Sequence, residues 1–165
     1  MRNPLSRPNV HSYVRTHLHG AAAGVELFRR SAGSQTDPQV REALAVLRDQ
    51  VVAERREMQQ VAADLGASPH GVLSLVARFG TKVGQLKPNG HLVKRTAMAD
   101  LIELETLRDA VAGKTAGWEA LLEAADRFPQ LDAVRLRELI DQSHAQLEEL
   151  QRLHRLVAPR ALSEE

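Results

Sequence analysis

Two glutamates stand where a helix core should be. In "VVAERREMQQV", Val51 to Val61, and on either side of it, Val40, Leu44, Leu47, Val51, Met58, Val61 and Leu65 keep a beat of threes and fours. That spacing is the seam a bundle helix turns inward. The beat calls for an apolar side chain at position 54, and Glu54 occupies it, with Glu57 three residues on along the same side. A carboxylate aimed at a core must meet a cation, either a neighbouring basic side chain or a metal ion, because an unpaired buried charge is too costly.

The elements that position these residues read as helices, with almost no strand signal. The first, about 10–32, follows "RPN" with Asn9 as its cap, carries Val14, Leu18, Val25 and Phe28, and stops at Gly33. Asp37 and Pro38 open the second, about 38–65, which Gly66 closes. The third, about 92–126, carries Leu101, Leu104, Leu107, Val111 and Trp118, with Gly113 and Gly117 as places to bend. The fourth, about 131–157, runs through Leu136, Ile140, Leu147 and Leu150 to stop before Pro159. Short connections make helices one and two, and three and four, antiparallel neighbours. The stretch 66–91 is too long for a hairpin. It carries its own apolar pattern (Val72, Leu75, Val76, Phe79, Val83, Leu86). The expected architecture is an all-α four-helix bundle of one domain, 10–158, in which two hairpins are joined by a long crossover with a short helix, between tails 1–9 and 159–165.

Composition narrows the classes of function. A chain of 165 residues with 43% apolar and 26% charged content is long enough for a real core. A net charge of +1 and 3% aromatics argue against nucleic acid as a partner. The absence of cysteine removes disulfides and thiolate chemistry, and leans the expected location to the cytoplasm. Neither a signal-peptide core nor a membrane span stands out. Eighteen Arg, four Lys and two Ile suggest a GC-rich bacterial genome.

Hairpin, crossover, hairpin, with acids on the inner seams, resembles the ferritin-like superfamily. "YVRTHLHGAAAGVELFRRSA" followed by "DPQVREALAVLRDQVVAERREMQQVAADLG" is similar to the first hairpin of its small bacterial stress-associated members. The likeness runs from about Tyr13 to Val157. It implies a self-associating bundle and, in working members, a di-iron or di-manganese centre. Such a centre takes one Glu from each of two helices and a Glu-x-x-His pair from each of the others. The corresponding ligands would come from Glu26, Glu54, Glu57, Glu103, Glu105, Asp141 and His144. The chain departs from that pattern: "ERRE" puts Glu57 where a histidine belongs, and "DQSH" is its one acid-x-x-His.

Levels along the bundle weigh against the metal. Counting from the turns places Glu54 across from about Thr16, so that Glu26 lies about 13–15 Å away at 1.5 Å per residue. His144 falls opposite Lys114 and Gly117, and Glu103 opposite His154, a histidine–carboxylate pair. Parallel second and third helices put Glu54 level with Glu105, Arg108 and Asp109. The alternative to a metal site is therefore a buried charge cluster of Arg15, His17, Glu54 and Arg108.

From Leu65 to Ala99 no acidic residue occurs, whereas Arg78, Lys82 and Lys87 do. That basic crossover could bind a protein partner, or could lay its apolar face over the bundle with its charges in water. "GKTAG" at Gly113 to Gly117 lacks the glycine spacing and preceding strand of a phosphate loop. Three functions are carried forward. The first is a non-catalytic, self-associating (dimeric) ferritin-like protein without cofactor. The second is a carboxylate metalloprotein using iron or manganese on oxygen, peroxide or iron. The third is an adaptor working through its crossover.

Overall fold

The computed structural model describes residues 7–67 and 95–163. Four long helices account for almost all of them: α1 (Arg7–Ser34), α2 (Pro38–Asp64), α3 (Ala97–Ala124) and α4 (Ala133–Ala161), with one 3-10 turn at Ala125–Arg127. The chain is an all-α four-helix bundle, and no strand occurs among the described residues. Most of the crossover, including Arg78, Lys82 and Lys87, lies outside them.

Local chemistry sets the helix ends. Asp37 Oδ1 accepts from Gln39 N at 2.8 Å and Val40 N at 3.4 Å, with Pro38 next to it in the first turn. Asp132 repeats the device at α4, accepting from Val134 N and Arg135 N at 2.9 and 3.1 Å. Gly66 ends α2 at φ 72°, a left-handed conformation that costs glycine nothing. There Gly66 N bonds Ala63 O and Ala67 N bonds Ala62 O, both pairs of a Schellman motif, and the buried methyls of Ala62 and Ala67 join the same core.

Three helices differ from the sequence expectation at their ends. α1 begins at Arg7, which puts Asn9 inside its first turn, and it runs through Gly33 to Ser34. α3 begins at Ala97, because Thr96 caps it with its hydroxyl on Ala99 N at 3.2 Å. α4 passes through Pro159 to Ala161. A proline so near the C-terminus removes only one of the helix's last hydrogen bonds. Gly113 and Gly117 do not break α3.

Contacts fix the directions of the helices. At one end His11 Nε2 lies 2.8 Å from Leu65 O, and Val14, Met58, Ala67, Trp118 and Leu131 share a core. At the other end the α1–α2 turn meets the start of α3 and the end of α4. There Thr36 N donates to Asp100 Oδ2 at 2.9 Å, and Arg160 reaches both the Thr36 hydroxyl and Asp100. Thus α2 ends at one pole, α3 begins at the other, and the two run parallel.

The interior is divided. One apolar cluster joins Leu27, Phe28, Leu44, Val51, Leu104, Val111 and Leu150; the other joins Val14, Met58, Trp118, Leu121, Leu136 and Leu139. Read along α2, α3 and α4, the gap between them falls at Glu54, at Lys114 and Thr115, and at Ser143 and Gln146. The bundle has a polar waist.

Candidate functional site

Glu54 is the centre of that waist, only 2% exposed. Its carboxylate is ion-paired to the Lys114 ammonium from α3 and accepts from Gln146 Nε2 of α4 at 2.9 Å. The network closes on itself: Lys114 Nζ also donates to Gln146 Oε1 at 2.6 Å, and Gln146 Nε2 also donates to Gln50 Oε1 at 3.0 Å. One carboxylate, one ammonium and one carboxamide from three helices thus satisfy one another, Glu54 and Gln146 buried and Lys114 mostly so. Burial lowers the basicity of Lys114 more than the neighbouring Glu54 carboxylate restores it.

The partner of Glu54 is therefore an ammonium six residues beyond Arg108, about 9 Å further along α3 at 1.5 Å per residue. The displacement follows from the start of α3, which lies five residues later than the spacing predicts. Arg108 is half-buried and is not in the ion pair. Arg15 is half-buried on α1, with its Nε enclosed and without a hydrogen-bond partner. His17 packs its ring on Gly117, and Tyr13 lies beside it with ring centroids 4.6 Å apart.

The other acids are dispersed. Glu26 sits on the surface, doubly bonded to Arg29 at 2.6 and 2.8 Å. Glu57 bonds Arg135 of α4 at 2.7 Å, and Arg135 also holds Glu138. Glu103 belongs to a second network at the far pole, where it and Asp100 share Arg95, and Gln35 Nε2 donates to Glu103 at 3.2 Å. Glu105, rather than Glu103, faces His154 at 3.1 Å. Asp141 and His144 are both exposed, because α4 turns Leu139, Ser143 and Gln146 inward instead. Among the described residues no group of three or more His, Cys, Asp or Glu side chains comes together to hold a metal ion.

Lys114 and Gln146 escape a search for carboxylates and histidines, yet the signal for them is the one that marks Glu54. Lys114 lies on the stripe Leu104, Leu107, Val111, Trp118, Leu121, and Gln146 on the stripe Leu139, Ser143, Leu150, Leu153. Each is a polar residue at a beat that calls for an apolar one.

His17, packed on Gly117, gives the bundle a pH dependence. Burial holds its imidazole below the ordinary value of 6.5, so the folded chain binds fewer protons than the unfolded chain just below that pH. The stability this confers is complete above 6.5 and is lost as pH falls through the lowered folded value. Thermal melts between pH 7.5 and 5 should show a steeper loss in the natural chain than in His17→Gln. Parallel slopes would assign the acid sensitivity to other groups.

Compared with protein-family models, curated proteins and solved structures, the chain gives no match in any of the three. Among the described residues no helix is long and apolar enough to cross a membrane.

Proposed function

We propose that this chain is a non-catalytic, self-associating bundle protein of the ferritin-like kind, with a stress-associated role, in which a lysine ammonium stands where working relatives would hold metal ions. The observation that carries this reading is the closed contact of Glu54, Lys114 and Gln146. A metal ion at Glu54 would have to displace or deprotonate an ammonium already seated on the same carboxylate, and the remaining carboxylates are bonded to arginines or turned outward. Two hairpins with parallel α2 and α3 support the likeness to ferritin-like topology. A dimer and a cytoplasmic location belong to the same proposal.

Metal analysis decides it. The chain, purified without chelator and then offered Fe(II) or Mn(II), should retain less than a tenth of an equivalent of either. Two equivalents retained by the natural chain and lost in Glu54→Ala would establish the carboxylate metalloprotein instead. Sedimentation of the same preparation should give twice the monomer mass.

A further inference from the structure

The four lateral seams of the bundle are unequal. Within each hairpin the helices pack along their lengths, α1 on α2 and α3 on α4. Between hairpins, α1 meets α3 along a line fixed at two places. His17 lies so close to Gly117 that a Cβ there would stand 2.6 Å from the ring, and Gln35 Nε2 donates to Asp100 O at 3.1 Å. The fourth seam is different in kind. Among the described residues α2 and α4 touch least of the four neighbouring pairs. The side-chain hydrogen bonds that bridge them are polar clasps: Glu57 to Arg135, Glu54 to Gln146 and Gln50 to Gln146. Beside the Gln50–Gln146 clasp lies a cleft of about 270 Å³ with Ala43, Val46, Leu47 and Ala145 in its walls. Small alanines line both walls of the cleft, and Val46 is 57% exposed.

Of the four seams this one has the fewest close helix–helix contacts to break, and amides and charges released from it are hydrated again. The α1–α3 line would lose close packing and a buried hydrogen bond. We infer that the bundle is a clamshell: its two hairpins hinge on the α1–α3 line and part along α2 and α4, admitting solvent and small solutes to Glu54, Lys114 and Gln146 without unfolding either hairpin.

A chain without cysteine makes this measurable with single thiols. Ser143 on α4, one turn from Gln146, and Ser31 on α1, one turn from Gln35, are each 0% exposed. Each accepts cysteine in nearly the same volume. Ser143→Cys and Ser31→Cys are labelled with a small maleimide in native buffer, and each rate is divided by the rate for the same variant in denaturant. Seam opening predicts that Ser143→Cys is at least tenfold less protected than Ser31→Cys. Leu47→Cys, on the facing wall, replaces Ser143→Cys if that variant does not fold. Adding Arg135→Gln, which removes one clasp, should raise the labelling of the seam probe severalfold and leave Ser31→Cys unchanged. Equal protection at both sites, or an equal response of both to Arg135→Gln, means the bundle opens only as a whole and overturns the proposal.

Discussion

Glu54→Ala should destabilise the protein by about 3–5 kcal/mol, the range for removing one partner of a buried ion pair. The loss is not the worth of the pair. It is the cost of leaving the mostly buried Lys114 ammonium without a counter-charge and Gln146 with an amide hydrogen unmet. The combined replacement Glu54→Leu, Lys114→Met, Gln146→Leu should therefore restore stability to the natural level or exceed it by about 1–4 kcal/mol. The lowered basicity of Lys114 points the same way, since desolvation outweighs the attraction of Glu54. Urea unfolding of the single and triple variants measures both quantities. A loss under about 1 kcal/mol for Glu54→Ala would mean that water reaches the carboxylate freely, against its 2% exposure.

Gly117→Ala should also destabilise, although alanine in an exposed helix interior is favoured over glycine by about 1 kcal/mol. The new methyl would stand 2.6 Å from both Cε1 and Nδ1 of His17, inside any normal contact. The imidazole is partly enclosed beside Tyr13, so it can yield only by giving up its packing. Overpacking of this kind costs about 1–3 kcal/mol, for a net loss of up to about 2 kcal/mol. With His17→Ala in place the obstruction is gone, and the same substitution should stabilise by up to about 1 kcal/mol. A double-mutant cycle reads the swing as a coupling of about 1–3 kcal/mol. If Gly117→Ala stabilises in both backgrounds, the His17 ring moves aside and the α1–α3 line is looser than its geometry implies.

Much of this is legible in the sequence because helix ends are local chemistry. Asp37–Pro38 and Gly66 mark the ends of α2 through residues whose side chains or backbone freedom act within a few positions. The burial of Glu54 is legible too, from the phase of Leu44, Leu47 and Val51 before it and Met58 after it. Its partner is not, because naming it requires the relative heights of two helices that meet far apart in sequence. Moving the start of α3 from Leu92 to Ala97 slides every level on that helix by more than a turn and exchanges Arg108 for Lys114. Likewise, choosing Ile140 and Leu147 as the inner stripe of α4, rather than Leu139, Ser143 and Gln146, turns His144 inward when it faces solvent. Sequence periodicity gives each helix its phase, but tertiary packing alone sets one helix against another.

The opposite poles at which α2 stops and α3 starts also bear on the order of folding. Each hairpin turn brings together residues close in sequence, so α1 with α2 and α3 with α4 can pair at small loop-closure cost. Across the two hairpins the waist joins Glu54 with Lys114 and Gln50 with Gln146, 60 and 96 positions apart. Such contacts form only once the two hairpins have docked on each other. The polar layer is then a late-closing lock: weakening it should speed unfolding far more than it slows folding. The persistence of the native state, more than the speed of reaching it, depends on the charged residues at its middle.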